Sequence, residues 1–231
     1  MELTKKVCCC SVDILMNFLI ENAKRAQITL SKYVVIAPLN ISNLKIVGGV
    51  DVSYKKDFGC ASAVAYNIQQ DNVVTYTIYC DKVSIPYIPG FLAFREAPLI
   101  IKALNKILSK TRLDVLFVNG HGLAHPRKFG IASHIGVVFN MPSIGVAKNL
   151  LYGEIIAYGD KKAIVVNGNV VGYVITNNNH KIYVTIGHKV TAVEAMELVL
   201  KTWKKAYALP EPIRLADEIS RKEVRRLAAK L

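Results

Sequence analysis

The stretch KIVGGVDVSYKKDFGCASAVAYNIQQDNVVTYTIYCDKV, residues 45–83, decides the fold of this chain. It holds three runs that read as strands, Lys45 to Tyr54, Cys60 to Ile68 and Asn72 to Val83. They are separated by the short polar turns KKDFG and QQDN, spacing that predicts antiparallel hairpins. Downstream the period changes. Leu99, Ile100, Leu104, Ile107 and Leu108 fall at helical spacing and predict a helix over Ala93 to Leu108, and Asp114 to Val118 is a short, strongly apolar strand. Ile131 to Phe139 reads as helix, Ser143 to Ala147 as strand, and Lys162 to Thr185 as two or three further strands. Thr191 to Tyr207 and Pro210 to Leu231 read as long helices. A meander followed by alternating strands and helices implies an α/β fold: a mixed sheet with an antiparallel three-stranded part and parallel strands, flanked by helices.

The 231 residues carry 30 Lys plus Arg against 17 Asp plus Glu, a formal charge of +13, and 52% of them are hydrophobic. That supplies a real core, excludes general disorder and creates a surface field that attracts polyanions, nucleic acid first among them. With no linker, low-complexity tract or repeat, one domain over 1–231 is expected. Cys8, Cys9 and Cys10 are adjacent and lack the two-residue gap of a zinc-gripping pair, while Cys60 and Cys80 lie far apart, so all five cysteines read as reduced core thiols. The apolar segment from Val7 to Ile20 is interrupted by Asp13 and Asn17, and no small-residue cleavage site follows it. It therefore reads as the start of an amphipathic helix running into Glu21, Lys24 and Arg25. No stretch approaches the length of a membrane span, and a cytoplasmic location is expected.

Three places hold candidate chemistry. Asp51 sits in IVGGVDVSY, a run that belongs in mid-sheet, where a lone carboxylate costs several kcal/mol unless compensated. A metal ion is one compensation; a strand-end position in solvent is the other reading. Glu96 lies in PYIPGFLAFREAP, where Pro86 and Pro89 bracket Tyr87 and Ile88, and Gly90 closes a stiff projecting loop before a helix. Such a loop either presents an aromatic ring against a base or packs Tyr87 on the core as an ordinary turn. Arg95 beside Glu96 can equally be half of a surface ion pair. Third, Asn119-Gly120-His121-Gly122 follows the strand DVLFV, at the carboxyl end where open α/β sheets gather ligands. His121 and His125 lie in a loop with Gly122 and Pro126, so helical zinc geometry does not apply. Arg127, Lys128 and Lys148 are within reach of phosphates. Arg221, Lys222, Arg225, Arg226 and Lys230 crowd the last helix, as dipole-complementing cations or as a phosphate-facing surface. No Walker loop, GxSxG turn or GxGxxG is present, which ranks nucleotide hydrolases, serine hydrolases and dinucleotide enzymes low.

Taken in order, GGVDVSY (48–54), PYIPGFLAFRE (86–96), NGHGLAHPRKFGIASHIG (119–136), SIGVAKNLLYG (143–153), GHKVTAVEAMELVL (187–200) and LPEPIRLAD (209–217) resemble endonuclease V, the deoxyinosine-directed repair nucleases. The resemblance implies a ribonuclease H-like fold, in keeping with the meander. It also implies Mg²⁺-dependent hydrolysis, with Mn²⁺ as a substitute, of the second phosphodiester bond 3′ of a hypoxanthine in DNA, leaving 3′-hydroxyl and 5′-phosphate ends. Carried over residue by residue, Asp51 and position 119 bind metal, and Glu96 acts through a metal or the attacking water. Asp217 matches a further acidic or histidine position, and Lys148 a lysine near the scissile phosphate. Tyr87, Ile88, Pro89 and Gly90 match a strand-separating wedge. Gly90, Leu92, Gly122, His125, Gly130 and Leu151 match the pocket for the flipped base. The implied partner is DNA containing deoxyinosine, with inosine-containing RNA left open, and the protein is expected to be a monomer.

One departure stands out: the family has Asp-Gly where this chain has Asn119-Gly120. An amide oxygen can ligate Mg²⁺, but hard cations favour charged oxygen, so metal affinity and turnover are expected to fall. Two functions follow from this point, an inosine-directed endonuclease of reduced activity and a nucleic-acid binder that has lost hydrolysis. A junction resolvase is disfavoured because the PYIPG and HPRK segments have no role in one.

Overall fold

The structure, a computed structural model, describes residues 19–229. The expectations for Cys8, Cys9 and Cys10 and for the helix before residue 19 lie outside them. The chain enters through helix α1 (residues 19–31). The meander follows as β1 (Ile46–Lys55), β2 (Phe58–Asn67) and β3 (Asn72–Lys82). Then come α2 (Leu92–Leu108), β4 (Val115–Asn119), α3 (Ile131–Phe139) and β5 (Ser143–Ala147). A second meander, β6 (Glu154–Tyr158), β7 (Lys161–Val166), β8 (Asn169–Asn177) and β9 (His180–His188), precedes α4 (Ala192–Thr202) and α5 (Glu211–Ala228).

The nine strands of the described residues form one sheet in the order β3-β2-β1-β4-β5-β9-β8-β7-β6. β1, β4 and β5 are parallel neighbours, and every other pairing is antiparallel. The mixed α/β sheet expected from residues 45–83 is present.

Apolar residues cover both faces of the sheet. Val50, Ala61, Ala63, Leu116 and Val118 pack with α2 and α3 on one face, while Val47, Phe117, Ile144, Val184 and Trp203 pack with α4 on the other. Side chains alternate along a strand, so β1 sends Gly49, Asp51 and Ser53 to the face opposite Val50 and Val52. That face receives α5. A Cβ on Gly49 would sit 2.1 Å from the Pro212 carbonyl oxygen, so only a residue without a side chain lets α5 lie this close to β1. Pro212 in the first turn has φ suited to a helix start and costs no hydrogen bond there.

Two expectations are corrected. The helix expected over Thr191 to Tyr207 stops at Thr202, because Trp203 turns extended (φ −100°, ψ 99°) to bury its ring in the core, with its indole Nε1 donating to the Tyr207 carbonyl at 2.8 Å. The two or three strands expected over Lys162 to Thr185 are present as β7, β8 and β9, and β6, before that range, joins them at the sheet edge, exposed along its whole length and so without an alternating pattern. Cys60 and Cys80, expected as reduced thiols, are joined by a disulfide. They are 20 residues apart in sequence, yet the β2–β3 register sets them directly opposite each other.

Candidate nuclease site

Parallel strands β1, β4 and β5 end at one edge, and the loops that leave them enclose a cleft of about 400 Å³. Asp51 of β1, Glu96 of α2, Asn119 at the end of β4, Lys148 just after β5 and Asp217 of α5 all line it. Five residues scattered over the chain are thus brought together by strand order and by the close approach of α5.

Asp51 is 6% exposed. Its Oδ1 accepts from the Asn119 amide at 2.5 Å, and its Oδ2 accepts from the Ser220 hydroxyl at 3.1 Å. The same hydroxyl lies 2.8 Å from Ser53 Oγ and 3.0 Å from the Asp217 carbonyl oxygen, which ties α5 to β1. Burial raises the Asp51 carboxyl to about 6, and the Asp217 charge adds to the rise while the Asn119 and Ser220 hydrogen bonds oppose it. Glu96, 8% exposed, is raised further, to about 8, by burial and then by the charge of Asp51, with Tyr54 and Arg95 offsetting part of the shift. Asp217 pairs with Arg221 at 2.7 Å.

Two carboxylates raised mainly by burial form a site short of positive charge. Oxygen donors in this number and kind suit a hard divalent cation. Among the described residues, however, no group of three or more His, Cys, Asp or Glu side chains is gathered to hold a metal. Asn119 accounts for part of that: its amide nitrogen, not its oxygen, meets Asp51. The residues fit Mg²⁺ in donor type, with Asn119 supplying an oxygen only once its amide turns.

The opposite wall is built on the loop before α2. Tyr87 is 64% exposed at its tip and lines the cleft together with Gly90 and Leu92. Pro89 is exposed, and Ile88 turns to a separate apolar cavity shared with α1, Phe91 and Phe94. The Gly90 carbonyl accepts from Gln27 Nε2 (3.0 Å), His125 Nε2 (2.9 Å) and Arg127 Nη2 (2.7 Å). Arg127 also donates through Nε to Gln27 Oε1 at 2.5 Å and lies 4.4 Å from the Phe91 ring centroid, so its guanidinium faces the loop. His125 is held neutral, its pKa pushed down to about 4 chiefly by burial.

His121, Gly130 and Leu151 line the cleft floor and rim, and His121 Nε2 donates to the Asn149 carbonyl at 2.7 Å. Gly122 and Lys128 are not among the lining residues. Gly122 packs against β9, where a Cβ would meet the Ile186 carbonyl oxygen at 1.9 Å. Sequence reasoning missed Gln27 and Ser220 and did not place Arg221 in the cleft. A single glutamine in an amphipathic helix carries no pattern, and Ser220 and Arg221 gain meaning only from where α5 docks.

Residues 28–218 match the family profile of Endonuclease V. The chain is 45% identical over 181 residues to the Endonuclease V of Desulfurococcus amylolyticus, covering 78% of this chain and 82% of that one. It is 42% identical over 207 residues to the Endonuclease V of Sulfolobus acidocaldarius, covering 90% and 99%. Among solved structures, human endonuclease V superposes with a TM-score of 0.82 at 30% identity, covering 90% of this chain and 99% of that one. Ciona intestinalis endonuclease V, solved with a 24mer DNA containing an inosine followed by a ribo-adenosine, gives 0.82 at 26% identity, covering 90% and 99%.

Proposed function

The chain belongs to the endonuclease V family, and from that premise and the composition of the cleft we propose that it is a metal-dependent endonuclease for DNA containing deoxyinosine. It cuts the second phosphodiester bond 3′ of the lesion, in the service of DNA repair. The observation that carries this reading is the convergence of Asp51, Glu96, Asn119, Lys148 and Asp217 on one cleft whose facing wall is the Tyr87 loop.

Asp51, Glu96 and Asn119 would hold Mg²⁺ or Mn²⁺, with Asp217 beside them. When bound, such an ion lowers the pKa of water, neutralises phosphate charge and fixes geometry for in-line attack. The chain's own residues do the rest. Lys148 offers a cation to the scissile phosphate, and Ser220 orients the Asp51 carboxylate through its hydroxyl. Tyr87 fills the gap left when the lesion leaves the stack, so that the base can enter the region of Gly90, Leu92, His125, Gly130 and Leu151. Hypoxanthine carries an N1 hydrogen and an O6 acceptor where adenine has the reverse, and a site lined by backbone amides and carbonyls can discriminate on that basis. Flipping costs least at a mispaired inosine, which favours lesions before any contact is read.

A second reading, an inosine binder without hydrolysis, is favoured by the Asn119 amide donating to Asp51 where the family has a carboxylate. A nicking assay on an end-labelled inosine duplex, with Mg²⁺ or Mn²⁺ against a metal-free control, separates the two. Metal-dependent product one nucleotide beyond the lesion's 3′ neighbour bond is expected, and binding without any product would establish the second reading. Because the Ciona ligand carries a ribo-adenosine after its inosine, the substrate panel includes inosine-containing RNA. No described helix is long and apolar enough to cross a membrane; action in the cytoplasm as a monomer completes the proposal.

A further inference from the structure

The loop that carries Tyr87 is stiff in itself. The Phe91 amide donates to the Ile88 carbonyl at 2.9 Å, with Pro89 and Gly90 between them and Gly90 at φ +80°. This is a type II turn with proline and glycine in the positions that favour them. A stiff turn still has to be aimed. At its near end the Ile85 carbonyl accepts from Arg95. At its far end the Gly90 carbonyl takes the three donors already described, which reach it from α1 and from the loop after β4. Gln27 is 1% exposed, and both ends of its amide are engaged, the nitrogen on Gly90 and the oxygen on Arg127. A buried amide with each end committed is a rigid spacer, because swapping or truncating either end leaves a desolvated partner unpaired.

We infer that Gln27 and Arg127 are positioning residues that aim the wedge, fixing the Gly90 carbonyl and through it the placement of Tyr87 over the cleft. The inference rests on the wedge reading above. It assigns Arg127 to the protein's own loop, not to a phosphate, and gives α1 a part in lesion selection although no α1 residue other than Gln27 lines the cleft.

The test measures metal-free binding to an inosine duplex and to its undamaged match, with 2-aminopurine beside the lesion reporting unstacking. The proteins are the parent, Gln27→Met, Arg127→Lys, Tyr87→Ala and the double variant Gln27→Met/Tyr87→Ala. Methionine keeps the volume of glutamine and removes its hydrogen bonds to Gly90 and Arg127 together with the weaker one from Nε2 to the Phe129 carbonyl at 3.4 Å. Gln27→Met is expected to lower the preference for inosine about tenfold, the scale of losing a charge-linked buried hydrogen bond. It is also expected to reduce the 2-aminopurine signal. If Gln27 acts through Tyr87, the double variant shows no further loss beyond Tyr87→Ala. Additive losses, or an unchanged preference in Gln27→Met while Tyr87→Ala loses it, would overturn the positioning role and leave the wedge intact. An unchanged preference in Tyr87→Ala would instead overturn the wedge reading itself. Should Gln27→Met fail to fold, Arg127→Lys is read in its place with the same expectations, since lysine keeps the charge but cannot span the Gly90 carbonyl and Gln27 together.

Discussion

The two walls of the cleft differ in how their polar groups are satisfied. On the proposed catalytic wall, Asp51 and Glu96 are buried carboxylates that form no ion pair with another described residue, and burial pushes both up, to about 6 and about 8. On the recognition wall, one carbonyl has three donors, one of them charged, and the imidazole beside it is fixed in a single neutral form. On the proposed function the first wall awaits an ion from outside the chain, whereas the second is complete without one. A site that must read a base accurately gains from a surface that does not rearrange, since preorganised donors spend no energy on ordering. A site that must take up an ion needs charges left uncompensated until the ion arrives.

Restoring the missing charge on the first wall has the largest expected effect. Asn119→Asp converts a donor on Asp51 into a third carboxylate, and metal-dependent cleavage of an inosine duplex is expected to rise by ~10²-fold or more, the scale of one well-placed electrostatic group. Binding should change much less. A readout free of turnover follows from the same charge: Mn²⁺ should raise the Tm of the aspartate variant more than that of the parent, because an ion bound only by the folded form stabilises it. Asn119 precedes Gly120, a pairing prone to deamidation, so the parent is checked by mass spectrometry before each assay. Equal cleavage by verified parent and variant would mean that Asp51, Glu96 and Asp217 suffice for the metal.

Next in size is Gly49→Ala. The added methyl has no room against the Pro212 carbonyl oxygen, which is backbone and cannot swing away. Overpacking of this kind costs about 1–3 kcal/mol, read as a lower Tm. Because α5 carries Ser220 and Asp217, cleavage should fall by more than the loss of folded protein explains. Recognition should survive, since the clamp on Gly90 touches neither β1 nor α5. A variant that lost inosine preference and cleavage equally would show that the two walls are not independent.

That Asp51, Glu96, Asn119 and Lys148 share a cleft was legible in the sequence because strand chemistry advertises it. Asp51 interrupts an apolar run, Asn119 and Lys148 sit where apolar strands end, and Glu96 follows a proline-framed loop. What stayed hidden depends on contacts between distant segments. The docking of α5 needs a glycine whose purpose appears only once Pro212 lies on it, so Ser220 was missed and Arg221 read with its basic neighbours as dipole-complementing or phosphate-facing, without a place in the cleft. Cys60 and Cys80 were separated by sequence and united by register. Gln27 looked like any polar residue of an amphipathic helix, since nothing local distinguishes a solvated glutamine from one buried between two partners.

The smallest expected effect concerns pH, where the two walls respond with opposite sign. His125 Nε2 faces the Gly90 carbonyl and must carry the hydrogen there, so Nδ1 is the acceptor for the Arg127 amide at 3.1 Å. A proton on Nδ1 would set two N–H groups against each other, beside the Arg127 charge. With its folded pKa near 4 and an unfolded value near 6.5, neutral His125 contributes stability that is fully present above about pH 6.5 and is lost as pH falls toward 4. Asp51 and Glu96, raised in the fold chiefly by burial, do the reverse: acidification neutralises carboxylates whose charged form is desolvated. Comparison with a variant therefore isolates the histidine from the carboxylates. His125→Gln, whose amide retains one donor and one acceptor and does not titrate, should make the unfolding free energy in metal-free buffer less steep between pH 6.5 and 4, by about 2 kcal/mol over that range. Parallel curves for parent and variant would mean that protonated His125 is accommodated beside Gly90, and that the recognition wall is less rigid than its hydrogen bonds imply.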